Sequence, residues 1–237
     1  MKNEVLIGCS SYNNRLWKGI FYPDNLSGSE FFEFYCQYFS TYEFNGSFYR
    51  FPTIKIFENW YNKTPENFIF SVKAPKEITH IRKFTDCETL ISDFYKVCKT
   101  GLKEKLGCVL FQLPPSYHFS SEKLHLIIDN LDLKFKNVVE FRHESWWNQE
   151  VWDAFRAHNI TFCSVSHPQL PETIFKNFPL IYIRLHGKPK MFYSSYSLEE
   201  LLYMKNETTL KSVFVYFNNT ASEAGILNAL ELQKMMR

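Results

Sequence analysis

Glycine is scarce in this chain, with eight residues in 237. None forms a glycine-rich loop after an apolar run, so the phosphate cradle of nucleotide-binding folds is missing. No stretch approaches the roughly 18 consecutive apolar residues of a membrane span. Neither sign of charge dominates: 27 basic and 25 acidic residues leave a formal net charge of +2. The balance disfavours nucleic acid as a partner, since backbone binding calls for a clear cationic excess or stripe. The six cysteines (Cys9, Cys36, Cys87, Cys98, Cys108 and Cys163) form no CxxC pair, which excludes a zinc ribbon and a thioredoxin-type motif. Scattered among apolar neighbours, they suit reduced, buried thiols in a cytoplasmic protein. Leu6-Ile7-Gly8-Cys9 resembles a lipoprotein processing site, but Lys2 and Glu4 stand before it where an apolar signal segment belongs. No such processing is expected.

Aromatic residues are abundant, at 18%, with 24 Phe and 14 Tyr. The simplest reading is that Phe replaces Leu and Val in the core. Eight short apolar, β-branched or aromatic runs read as strands: Val5–Ser11, Tyr42–Tyr49, Phe68–Ala74, Leu106–Leu113, Asn137–His143, Ile160–Ser166, Leu180–Gly187 and Ser212–Asn218. Stretches with helical spacing lie between them: Glu30–Phe39, Thr53–Tyr61, Asp86–Lys99, Glu122–Leu131, Gln149–His158, Leu198–Met204 and Ala221–Met235. Ser29 and Ser120 are placed to cap two of these helices.

Strands alternating with helices predict parallel strands with right-handed crossovers. Eight units in a chain of this length fit a single-domain α/β protein, a TIM-like (β/α)8 barrel spanning residues 1–237. The sixth helix should be short or missing, because Pro168, Pro171 and Pro179 crowd the segment between strands six and seven. An open doubly wound sheet is the alternative.

In such a barrel the site lies at the C-terminal strand ends. Buried parallel strands should be nearly all apolar, yet several of these are not. Strand two places Glu43, Asn45, Ser47 and Tyr49 on one face, and strand three carries Lys73. Strand four ends in Gln112, strand five in Glu140, Arg142 and His143. Strand seven holds Arg184 and His186, and strand eight ends at Asn218. Desolvating a charged side chain costs several kcal/mol, so six polar strand ends point to a ligand site, with a closed internal ion-pair network as the alternative. Three cations against two carboxylates favour an anionic or electron-rich ligand.

The motifs run almost end to end. They are Trp17-Lys18-Gly19, Phe48-Tyr49-Arg50-Phe51-Pro52 after Glu43 and Asn45, Lys73 with Ile78-Thr79-His80, and Gln112-Leu113-Pro114-Pro115. Glu140-Phe141-Arg142-His143 with Trp146 follows, then Arg184-Leu185-His186-Gly187, Tyr193, Tyr196, and Tyr216-Phe217-Asn218-Asn219. In this combination the chain resembles the YecE-like family catalogued as domain of unknown function 72. The resemblance implies a TIM-like barrel and brings no assigned reaction. The chain departs from the family pattern at Ser10-Ser11-Tyr12 and at Thr220.

Glu140, Glu43 and His186 are the candidate catalytic groups, able to carry acid–base chemistry once tuned by burial and neighbouring arginines. Lys73, Arg142 and Arg184 would clamp an anion. Asn45, Gln112 and Asn218 would orient hydroxyls, with His80 and His143 beside them. Tyr49, Trp146, Tyr193 and Tyr196 offer aromatic walls. Glu43, Glu140 and His186 could assemble on a divalent ion, but no HxH, HExxH or Asp-rich triad appears, and nearby arginines would compete for the carboxylates. No metal and no cofactor are expected. The sequence therefore points to an isomerase, epimerase, lyase or hydrolase acting on a small polar substrate, anionic or sugar-like. A non-catalytic small-molecule binding protein is the alternative, and a nucleic-acid-processing barrel a weaker one. No membrane partner is expected.

Overall fold

The computed structural model describes residues 5–208 and 212–236. Nine strands and eight helices follow in this order among the described residues. They are β1 (Val5–Cys9), α1 (Phe31–Tyr38), β2 (Thr41–Phe44), α2 (Gly46–Tyr49), α3 (Ile54–Asn62), β3 (Ile69–Lys73), α4 (Glu88–Leu102), β4 (Leu106–Gln112) and α5 (Ser121–Asn130). Then come β5 (Lys136–Glu140), α6 (Gln149–Ala157), β6 (Thr161–Phe162), β7 (Ser164–Ser166), β8 (Ile181–Leu185), α7 (Leu198–Glu207), β9 (Val213–Phe217) and α8 (Ala224–Met236). A π-helical turn, Glu77–Ile81, follows β3.

The strands form two sheets, one in the order β1-β9-β8-β7 and one in the order β2-β3-β4-β5-β6. The resolved pairings β1–β9, β9–β8, β8–β7, β3–β4, β4–β5 and β5–β6 are all parallel, as strand–helix alternation requires. The chain divides into two compact units, one comprising Met1–Glu43, Ser164–Lys176 and Leu180–Arg237, the other Phe44–Cys163 and Asn177–Pro179.

Each unit has an aromatic core. In the first, Tyr22 stacks on Phe31 with ring centroids 4.0 Å apart, and Phe21 meets Phe34 and Tyr38 edge-on. In the second, Phe44 sits edge-on to Phe57 and Trp60, while Phe141 stacks on Trp146 at 3.9 Å. Among the described residues Phe192 is the one phenylalanine that is well exposed, so phenylalanine does fill the role of aliphatic residues here. Burying each such side chain contributes about 1.5–3 kcal/mol.

Three boundaries differ from the sequence expectation. Strand two stops at Phe44 instead of running to Tyr49: Asn45 takes helical backbone angles and Gly46–Tyr49 forms one helical turn. Asn-Gly is turn chemistry, and at Gly46 a Cβ would lie 3.0 Å from the Phe44 ring. Asn45, Ser47 and Tyr49 therefore do not share a strand face with Glu43. The run Ile160–Ser166 is divided at Cys163 into β6 and β7, which belong to different sheets. The cap expected at Ser29 is displaced to Ser27, whose amide donates to the Glu30 carboxylate at 3.1 Å. Ser120 does cap α5, accepting from the Lys123 amide. No helix intervenes between β7 and β8, where the three prolines stand.

One further anchor is buried cationic. Lys105, 3% exposed, donates from Nζ to the carbonyls of Tyr61 and Thr64 and to Thr64 Oγ1 at 2.8–3.1 Å. It thereby satisfies carbonyls at the C-terminal end of α3, where cations are favoured.

Candidate functional site

In the first unit, β8 carries Tyr182 and Arg184 two residues apart, so both project from the same face. They meet Glu43, at the end of β2. Arg184 donates to both Glu43 oxygens, from Nε at 2.9 and 3.1 Å and from Nη2 at 2.7 Å. Tyr182 adds its hydroxyl at 2.8 Å. Arg184 Nη2 also donates to Asn218 Oδ1 at 2.7 Å, and Asn218 Nδ2 donates to the Tyr216 carbonyl. Glu43 and Tyr182 are fully buried, and Arg184 is 2% exposed. Such a paired, hydrogen-bonded arrangement is the form in which buried charge is tolerated. Glu43 thus holds Arg184 in one orientation through the Nε/Nη2 edge of its guanidinium.

His186 is buried one residue beyond β8, edge-on to Phe192 and His167. Tyr196 is also buried. Its hydroxyl accepts from the Gly187 amide at 2.8 Å and its own amide donates to Asn228, and burial pushes the phenol's pKa up. Gly187 has φ +86°, and a Cβ there would crowd the Ser194 and Lys190 carbonyls. Tyr193 is half exposed, with Lys190 over its ring.

In the second unit, β3, β4 and β5 end side by side, with Gln112 in register with Glu140. Arg142 pairs through Nε with the buried Glu140. Lys73 Nζ lies over the Phe48 ring, 4.0 Å from its centroid, and His80 meets the same ring edge-on at 4.9 Å. A cation over an aromatic face is held by the ring's quadrupole. The π-turn carries His80 into this group, with Nδ1 2.9 Å from Thr79 Oγ1. Burial, Lys73, Arg142 and Lys83 push the His80 pKa down to about 4, against the opposing pull of Glu140. The imidazole is therefore neutral at pH 7, chiefly because it is desolvated, with the neighbouring cations adding to the effect. Behind the turn, Lys83, Phe84 and Asp86 take positive φ of 52°, 69° and 49°. Left-handed backbone is unusual for such residues, and both it and π-turns concentrate at functional sites.

Other expected groups stand differently. Trp146 is a core residue: fully buried, stacked on Phe141, and donating from Nε1 to the Tyr117 carbonyl. Tyr49 is 76% exposed on α2, and Asn45 is half-buried at the start of that turn. His143 stacks on His118 at 3.8 Å and bonds Ser145 Oγ. The Gln112 amide donates to the Leu113 carbonyl. Tyr182, Thr79 and Phe48 were not among the expected site residues. The i, i+2 spacing of Tyr182 and Arg184, and the position of Thr79 beside His80, were the available signals. Among the described residues, no three His, Cys, Asp or Glu side chains gather to hold a metal ion. A cleft of about 370 Å³ opens between α4 and the end of α5, lined by Tyr95, Lys99 and Phe135. No polar strand end of β3, β4 or β5 lines it.

The match to the family model described as "Protein of unknown function DUF72" covers residues 6–237. The chain belongs to the DUF72 family. A curated relative, UPF0759 protein YunF of Bacillus subtilis (strain 168), is 24% identical over 91% of this chain and 89% of its own length. UPF0759 protein YecE of Escherichia coli (strain K12) is 25% identical over 60% of this chain and half of its own. A solved DUF72 protein from Thermotoga maritima superposes with a TM-score of 0.88 at 28% identity, over 98% of both chains. SacUVDE superposes with a TM-score of 0.61 at 11% identity, a likeness of fold alone. The DUF72 fold is thus mixed α/β with parallel sheets, of the TIM-like class. No helix among the described residues is long and apolar enough to cross a membrane.

Proposed function

We propose that this protein is an acid–base enzyme acting on a small anionic molecule. The reading rests on one arrangement: Lys73 and His80 meet on the Phe48 ring at the end of β3, and the Arg142–Glu140 pair at the end of β5 acts on the same imidazole. Two cations in a partly desolvated setting favour a carboxylate or phosphate group on the ligand. Lys73, held over the Phe48 face, acts as a point charge, while Arg142 brings a planar guanidinium, a group matched to carboxylate and phosphate. Glu140, oriented through Nε of Arg142, is the carboxylate placed to exchange a proton with bound substrate. An anion clamp beside a carboxylate is a combination able to carry isomerisation, epimerisation or elimination next to a carboxylate or phosphate ester.

Calorimetric titration with inorganic phosphate is the first test. Binding in the millimolar range or tighter, lost in Lys73→Ala, supports the reading, and its absence refutes it. A panel of hydroxy acids and sugar phosphates incubated in D2O then tests turnover. Solvent deuterium at a substrate carbon, abolished by Glu140→Gln while phosphate binding persists, is the expected result. Binding without exchange for any member of the panel would make the chain a binding protein.

A further inference from the structure

The proton inventory around His80 goes one step further and rests on the anion-site reading above. A neutral imidazole carries one N–H, and which nitrogen holds it is decided by the partner of the other. Nδ1 of His80 faces Thr79 Oγ1 at 2.9 Å. The same hydroxyl oxygen lies 3.4 Å from the Pro75 carbonyl. A carbonyl oxygen only accepts, so both contacts are hydrogen bonds at once only when the hydroxyl hydrogen of Thr79 is directed to Pro75, the back-bonding pattern of threonine in a helical turn. In that arrangement the Thr79 oxygen accepts and Nδ1 donates. The lone pair resides on Nε2, and among the described residues no hydrogen bond reaches that atom.

The surroundings fix the ring as well as the tautomer. The π-turn Glu77–Ile81 is closed by the Arg82 amide donating to the Glu77 carbonyl at 2.9 Å. The Phe84 amide donates back to the Ile78 carbonyl at 3.0 Å, and the imidazole edge rests on Phe48. The charged groups acting on the imidazole are Lys73 from β3, Lys83 from the loop after the π-turn, Arg142 from beyond β5, and Glu140 at the end of β5. Burial and the three cations oppose protonation of Nε2, and together they outweigh the carboxylate, which favours it. His80 is thus a hydrogen-bond acceptor beside cations that attract an anion.

We infer that His80 is held as its Nδ1–H tautomer by Thr79 and Pro75, and that its Nε2 accepts a hydrogen bond from a hydroxyl group on an anion bound by Lys73 and Arg142. The ligand class is thereby narrowed to hydroxylated anions, namely hydroxy acids and phosphate esters of polyols or sugars. A bare anion satisfies the cations and leaves the acceptor unused. Thr79 is a positioning residue, since it acts only through the imidazole.

The full chain labelled with ¹⁵N-histidine tests this by long-range ¹H–¹⁵N correlation, with His80 assigned from the His80→Gln variant. The expected spectrum at pH 7 is a neutral imidazole protonated at Nδ1. It persists in Thr79→Ser and shifts toward the Nε2–H form in Thr79→Val. Glycerol 1-phosphate should move the Nε2 resonance, and n-propyl phosphate, which lacks hydroxyls, should bind without moving it. An Nε2–H tautomer in the unsubstituted protein, or equal responses to the two esters, overturns the inference while leaving anion binding intact. Failure of both esters and of inorganic phosphate to bind removes the anion site itself.

Discussion

Removing the Glu43 carboxylate should destabilise this protein more than most single substitutions. In Glu43→Ala the buried guanidinium of Arg184 loses its bidentate partner, and Tyr182 loses the acceptor for its hydroxyl. Asn218 remains as one acceptor for Nη2. Arg184 is 2% exposed, so water cannot take over without opening the unit. Breaking a buried pair from one side costs about 3–5 kcal/mol. For a chain of this size each kcal/mol lowers the melting temperature by about 2–4 °C, which gives a fall of about 6–20 °C. Urea unfolding followed by far-UV circular dichroism, alongside calorimetric melting, measures it. Because replacing both charges by apolar groups avoids a stranded ion, Glu43→Leu with Arg184→Met should recover part of the loss. A single variant that loses less than about 1 kcal/mol would refute the account of Glu43 as holder of Arg184.

Four other outcomes follow from the geometry. The unfolded chain takes a proton on His80 near pH 6.5 while the folded chain resists until about pH 4, so stability is full above 6.5 and declines through that window. His80→Gln should show a shallower decline in urea midpoints between pH 7 and 4, and an unchanged decline contradicts the shift. Lys105→Met strands the Tyr61 and Thr64 carbonyls and should cost about 2–3 kcal/mol, with faster amide exchange at the end of α3 as its local signature. Gly101→Ala puts a Cβ 2.4 Å from that of Phe57, so α3 and α4 must part, at about 1–3 kcal/mol; a neutral thermal midpoint would count against that packing. Burial pushes the Cys9, Cys98 and Cys108 thiols up, Cys108 to about 12, so native alkylation followed by mass spectrometry should modify Cys36 first and spare these three.

The strand and helix alternation was legible because its signals are local. Leu90, Phe94 and Val97 announce α4 by spacing, and Ser120 announces the start of α5 by its side chain. Strand two was misread for a physical reason: Glu43, Asn45, Ser47 and Tyr49 alternate like a strand, but Asn-Gly bends the backbone before the pattern can act. Division of the Ile160–Ser166 run at Cys163 left no local mark, since all seven residues suit a strand. The pairing of Glu43 with Arg184 spans 141 positions, and no local rule connects them. Tyr196 and Trp146 looked like pocket walls because their polar tips need partners, and backbone groups supply those partners inside the core. His80 was visible as a residue, but its protonation state depends on burial and on Lys73, Arg142 and Lys83, which only folding assembles.

Lys83, Phe84 and Asp86 hold left-handed backbone where glycine would be at ease. A glycine at position 84 would relax the loop yet remove a ring that is wholly buried against Phe111. The imidazole's placement therefore depends on a neighbour's bulk rather than on the turn's own preference. A library randomised at 83, 84 and 86 would separate the two demands: variants chosen for thermal endurance and variants chosen for ligand capture should diverge at these three codons.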